Sequence, residues 1–242
     1  MKNVGIIGCG NILETYLRAE KYFNNINFVS CSDIKMELAS KIAQENNMKA
    51  LTVDETLKDD SIDIILNITI PQAHYDISKK SLLAGKHVYS EKPMSSKYEQ
   101  GKELLDLAQQ KKLYIGNAPD TFLGGGAQLS KEFVDSGKIG DVLTGNFIFA
   151  FPGAEDFHPN PESWFQSGGG PVIDMGPYFF TSLINLLGPA KNVRSRGKKF
   201  SNQRDYLVGP KKGKSFDVEI STSVMFDIEF DNDAIVQGFI SF

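Results

Sequence analysis

Three short stretches of this 242-residue chain carry residue types that could do chemistry. "HVYSEKPMSS" (87–96) runs a strand-like His-Val-Tyr into Ser90-Glu91-Lys92-Pro93. A carboxylate, an ammonium and a proline in a row make either a solvated turn or a charged pair held over a reacting group. "GIIGCGN" (5–11) spaces Gly8 and Gly10 as in a loop whose backbone N–H groups, at a helix N-terminus, cradle a pyrophosphate. "GGGPVIDMGPY" (168–178) puts Asp174 and Tyr178 four residues apart at the start of an apolar helical pattern, a spacing that places both on one helix face. Asp174 could equally cap that helix, and Tyr178 could be core packing beside Phe179 and Phe180.

What those residues can do depends on the elements that hold them. In the first half, "VGIIG" (4–8), "NFVSCSD" (27–33), "IDIILNITI" (62–70), "HVYS" (87–90) and "LYIGN" (113–117) read as strands. Helical patterns at 13–23, 36–47, 75–85 and 98–112 separate them, the third closed by Gly85. Strands alternating with helices predict an α/β fold with a Rossmann-like parallel sheet of right-handed βαβ units. The near-continuous apolar character of the strands predicts burial on both faces.

The pattern changes near residue 118. A helix is expected over 124–137, a strand over 142–151 and an apolar helix over 177–188. Alternating segments at 192–200, 217–230 and 234–242 predict antiparallel strands with one wet face. The expected organisation is therefore a Rossmann domain, 1–119, followed by an α+β domain with a mostly antiparallel open sheet, 120–242. The alternation stops inside a strand pattern at Phe242, an odd place to end a domain.

A net charge of −4 argues against a nucleic-acid partner, and the basic runs at 194–199 and 210–214 read as solvated loops. No apolar run reaches the ~18 residues of a membrane span. Two cysteines, Cys9 and Cys31, without a C-x-x-C spacing and without a signal-peptide pattern, fit a reducing cytoplasm. The three histidines lack metal spacing; His158, near Glu155 and Asp156, lies in a loop too short for a closed site, and no metal is expected.

The glycine fingerprint is incomplete, because Leu13 stands where a third glycine would pack helix on strand. Asp33 ends the second strand pattern, close to the ~20-residue interval at which a carboxylate meets the adenosine ribose. An acidic group there repels a 2′-phosphate and favours NAD over NADP. Asp33 could also be a simple turn or helix cap.

With "GIIGCGN", "NITIPQAH" (67–74), "AGKHVYSEKP" (84–93) and "GGGPVIDMGPY" in family order, the chain resembles the glucose–fructose oxidoreductase / inositol dehydrogenase (Gfo/Idh/MocA) family. The resemblance implies a cofactor surface of Gly8, Gly10, Asn11, Ile12 and Asp33, the loop residues Thr69, Ile70, Pro71 and His74, then Glu91 at the nicotinamide ribose, Lys92 and Asn117. It implies Lys92 as active-site lysine and Asp174 as the aspartate of a D-x-G-x-x-H motif; Asp120 and Tyr178 are expected on the substrate side, and the aromatics Phe157, Trp164 and Phe165 are expected to wall a sugar pocket or to cover the core. It also implies hydride transfer at a hydroxyl carbon of a sugar, polyol or related compound, and a homo-oligomer formed through the second sheet if that sheet is complete.

Three departures stand out. Tyr178 replaces the motif histidine, "NAPDTF" (117–122) replaces an arginine or aromatic after the sixth strand, and the chain is short for the family, which implies that the second sheet is incomplete. Oxidising an alcohol needs a base within hydrogen-bond reach of the hydroxyl. A lysine serves when burial or a nearby cation lowers its pKa. Tyrosine, titrating near 10, is a poorer base than histidine. The burden therefore shifts to Lys92. Glu91 is expected to point to the ribose rather than pair with Lys92, and Pro93 to stiffen the turn. Two other readings stay open: a catalytically inactive dinucleotide or sugar sensor of the same fold, and a methyl transferase, which leaves Glu-Lys-Pro unexplained.

Overall fold

In the first half each buried strand is followed by a helix that returns the chain across the sheet. The computed structural model describes residues 1–242 and divides into two units, Met1–Ala118 and Pro119–Phe242. The first contains β1 (Lys2–Ile7), α1 (Leu13–Ala19), β2 (Ile26–Ser32), α2 (Met36–Glu45), β3 (Lys49–Ala50), α3 (Val53–Lys58), β4 (Ile64–Asn67), α4 (Pro71–Leu83), β5 (His87–Ser90), α5 (Tyr98–Lys111) and β6 (Ile115–Asn117). The strands form one sheet in the order β3-β2-β1-β4-β5-β6. Every pair is parallel. The order reverses between β1 and β4, and this switch point is where open parallel sheets bind ligands.

Both faces of that sheet are covered. Val4, Ile6, Cys31 and Leu66 pack with Leu13 and Ala39 in one cluster, while Ile7 and Ile65 pack with Leu57 and Ile62 in another. Burial on both sides explains why the strands read as unbroken apolar runs. Two elements, β3 and α3, were not expected. The stretch "LTVDETLKDD" is too polar to show periodicity, but Thr52 and Glu55 form a reciprocal capping box that starts α3. Helix α4 starts at Pro71 rather than Tyr75, with proline at its first position, where the missing N–H costs nothing.

The second unit contains α6 (Gly125–Asp135), β7 (Thr144–Ala150), α7 (Pro171–Asp174), α8 (Gly176–Leu187), β8 (Ala190–Lys198), β9 (Gln203–Asp205), β10 (Ser215–Asp217), β11 (Ser223–Phe230) and β12 (Ile235–Ser241). Its main sheet runs β7-β12-β11-β8, parallel between β7 and β12 and antiparallel elsewhere. Phe179, Phe180, Leu183 and Leu187 of α8 cover Phe226, Ile228, Phe230, Val236 and Ile240. Gly238 lets this face close, since a Cβ there would sit 2.1 Å from the Phe226 ring. β9 and β10 form a separate antiparallel pair beside Phe165, Tyr206, Phe216 and Val218.

Two expectations are corrected here. The segment 217–230 is not one strand, because β10 and β11 belong to different sheets and residues 218–222 between them lie in neither. Asp174 and Tyr178 do not share one helix. Residue 175 separates α7 from α8, and the new helix begins at Gly176 with Pro177, which lacks an N–H, as its second residue. No helix is long and apolar enough to cross a membrane.

Candidate active site

In the first unit the sequence-predicted residues collect at the C-terminal ends of β1, β2, β4, β5 and β6. Gly8 follows β1 with φ +108°, and a Cβ there would lie 2.6 Å from the Ile68 carbonyl oxygen, so only glycine passes this point. Its N–H donates to the Ser32 carbonyl at 2.8 Å, tying the loop to β2. A Cβ on Gly10 would meet no atom within 4 Å. Gly10, Asn11 and Ile12 are exposed, so this backbone is open to a ligand. Leu13 is buried in the core beside Val4, Ile6 and Cys9, replacing the close packing a third glycine would give.

Asp33 does not cap α2, whose N-cap Lys35 has no side-chain partner. Its carboxylate accepts from the Cys9 N–H and the Lys35 N–H, both at 2.9 Å, and so stands against the glycine loop. Cys9 and Cys31 are both buried and unoxidised. A hydrogen bond from the Cys9 thiol to the Cys31 sulfur, together with burial, pushes Cys9 well above the ordinary range, which leaves it a poor nucleophile.

Beyond β4, Asn67 is fully buried and organises the turn. Its Nδ2 donates to the His74 carbonyl and to Ser78 Oγ, each at 3.0 Å, and its Oδ1 accepts from Thr69 Oγ1 at 2.7 Å. Ile70 and Pro71 are exposed at the loop surface. His74, grouped with the cofactor-facing residues on sequence, lies beneath the loop instead, with 1% exposure. Nδ1 is 2.7 Å from the Pro93 carbonyl oxygen and Nε2 is 3.0 Å from that of Thr69. The ring thus joins the loop after β4 to the turn that carries Lys92.

That turn is held from two more sides. Asn117 Nδ2 donates to the carbonyls of Ser90 and Glu91, each at 2.9 Å. Glu91 Oε1 accepts from Tyr16 of α1 at 2.9 Å, and Oε2 accepts from the Lys92 N–H at 2.9 Å. Lys92 is half-buried, and the Lys92–Pro93 peptide bond is cis. Tyr16 and Asn67 escaped sequence reasoning. Asn67 left a trace, as a lone amide ending an apolar strand; Tyr16 left none.

In the second unit, Asp174 ends α7, and the N-cap of α8 is Met175; the Asp174 Oδ2 accepts from the Trp164 indole N–H at 3.1 Å. Trp164 meets the His158 ring edge-to-face at 4.6 Å. Tyr178 lies in the first turn of α8, and its N–H donates to the Met175 carbonyl at 3.1 Å. Asp120 is exposed before a 3₁₀ turn, Thr121–Leu123. Glu155 is buried in an ion pair with Arg204, which also covers the Phe165 ring at 4.9 Å.

Residues 2–118 match the model of an oxidoreductase family with an NAD-binding Rossmann fold, and residues 127–242 match the GFO/IDH/MocA C-terminal domain. An uncharacterized oxidoreductase of Schizosaccharomyces pombe is 31% identical over 156 residues, 62% of this chain and 41% of that protein. A D-xylose dehydrogenase of Paenarthrobacter nicotinovorans is 29% identical over 150 residues, 60% of this chain and 38% of that protein. The chain therefore spans about two fifths of the length of these relatives. A levoglucosan dehydrogenase crystallised with NADH and L-sorbose superposes with a TM-score of 0.87 at 23% identity, over all of this chain and 67% of its own. At that identity the likeness shows a shared fold.

Proposed function

Since the chain belongs to the Gfo/Idh/MocA oxidoreductase family, we propose that it oxidises a hydroxyl carbon of a sugar, polyol or related compound, or runs the reverse reduction, with NAD. The observation that carries this reading is the convergence of Gly8, Asp33, Glu91 and Lys92 on the C-terminal edge of one parallel sheet. The family relation adds the NAD-binding Rossmann domain over residues 2–118. The D-xylose dehydrogenase relative supports a sugar-like substrate.

The residues fit the dinucleotide. The open backbone at Gly10 leaves room for a pyrophosphate, and the Asp33 carboxylate at the end of β2 suits ribose hydroxyls. When bound, the nicotinamide supplies the hydride chemistry. Lys92 is assigned the hydroxyl proton, held by a turn that His74, Asn117 and the Glu91 carboxylate fix in place. Asp174 and Tyr178 are assigned to substrate hydroxyls. Following NADH absorbance across a panel of polyols, aldoses and cyclitols tests the reading. Turnover of at least one is the expected result. NADH binding without any turnover would point to a sensor.

Asp33 should make NADH bind at least about tenfold more tightly than NADPH, because a 2′-phosphate beside a carboxylate is repelled. Calorimetric titration giving the opposite order would overturn the assignment. We further place the protein in a reducing cytoplasm, which two buried free cysteines support. β8 is an edge strand exposed along its whole length, which supports self-association through this sheet. Sedimentation is expected to show a dimer or larger; a monomer at all concentrations would refute it.

A further inference from the structure

We propose that Trp164 is a positioning residue, whose indole N–H fixes the Asp174 carboxylate, rather than a hydrophobic wall for the sugar. The inference rests on the assignment of Asp174 to the substrate. Its basis is a built contact between residues ten apart in sequence. Trp164 ends a 3₁₀ turn, Pro161–Trp164, and the chain then doubles back over it. The Gly170 N–H donates to the Trp164 carbonyl at 2.7 Å, and the Asp174 N–H donates to the Gly170 carbonyl at 2.9 Å.

The glycines of "SGGGP" allow this. A Cβ on Gly169 would lie 2.3 Å from the Ser163 carbonyl oxygen and 2.9 Å from that of Trp164, and Gly170 takes φ +97°. A side chain at either position would force the loop away from the turn or strain it. Folded this way, the chain returns Asp174 to the indole edge, where N–H donates to Oδ2 at 3.1 Å. His158 meets the same indole edge-to-face and limits its swing. A donor to an ionised acceptor makes a strong hydrogen bond, and an indole has one donor and no acceptor, so it selects a carboxylate oxygen. Tyr178, standing where the resemblance implies histidine, makes a fixed Asp174 more important.

Trp164→Phe keeps an aromatic face and removes the N–H. The variant is expected to lose about tenfold or more in kcat, the loss of one hydrogen bond to a charged group, while KM stays within about threefold. A wall would behave oppositely, with KM raised and kcat kept, and that result, or unchanged kinetics, would overturn the proposal. Trp164 is the only tryptophan in the chain, so its fluorescence reports the contact without any substrate. Asp174→Ala should shift the emission of the folded protein, with Asp174→Asn as a second variant if the first does not fold. Unchanged emission in a folded variant would refute the contact. Should no sugar be turned over by the parent, the proposed activity falls and the fluorescence result alone decides the positioning role.

Discussion

Replacing Lys92 with alanine is expected to lower kcat by about 10²- to 10⁴-fold, the usual contribution of a positioned acid–base group, while NADH binding stays near the parent value. The separation of the two effects follows from where the side chain stands. The groups suited to the dinucleotide are the Gly8–Gly10 backbone and Asp33, at the ends of β1 and β2. Lys92 follows β5, and its backbone is anchored independently of its side chain, by its N–H on Glu91 Oε2 and by the Pro93 carbonyl on His74. Truncating the side chain therefore removes an ammonium and leaves the turn. Stopped-flow turnover with parallel NADH titration reads both quantities. A Lys92→Ala variant that turns over at the parent rate would remove Lys92 from the chemistry, whatever its position.

The fold was legible where burial was simple. β5 was read residue for residue, because the strand-favouring Val88 and Tyr89 lie between Gly85, which stops the helix before them, and Pro93, which bars a helix after them. The legible pattern failed where tertiary contacts overrode it. "DVEISTS" alternates like a strand, but Val218 packs with Phe165 and the Glu219 N–H donates to the Phe165 carbonyl, so the segment leaves the ladder. Helical spacing from Asp174 to Tyr178 looked continuous, yet Gly176 and Pro177 sit at the break. Proline lacks the donor for the turn before it, and its ring meets the carbonyl four residues earlier.

The site was legible by position more than by role. Gly8, Asp33, Glu91 and Lys92 follow strand ends, and a parallel sheet must bring strand ends to one edge. Partnerships between side chains distant in sequence have no period to detect. Tyr16 reaches Glu91, Asn117 reaches the Ser90 carbonyl, and Trp164 reaches Asp174 only because the backbone turns them together. His74 shows the difference. Its place near the loop could be read from "NITIPQAH", but its burial under that loop, between two carbonyls, could not.

Two glycines with a single residue between them should respond differently to the same methyl group. Gly8→Ala is expected to cost at least about 2 kcal/mol of stability, since φ +108° is strained for any side chain and the new carbon would press on the Ile68 carbonyl. Relief would require moving either the Gly8 N–H off Ser32 or the β4 end, which carries the Asn67 network. NADH binding should fall with it. Gly10→Ala meets no protein atom within 4 Å, so the folded state should keep its stability to within about 0.5 kcal/mol, as surface substitutions usually do. The same methyl, however, fills the space through which a pyrophosphate approaches the backbone, and NADH affinity should drop by more than about tenfold. Urea denaturation beside NADH titration on both variants separates the two glycines. If Gly10→Ala binds NADH as the parent does, the dinucleotide does not use this loop, and the cofactor assignment built on it fails even with the fold intact.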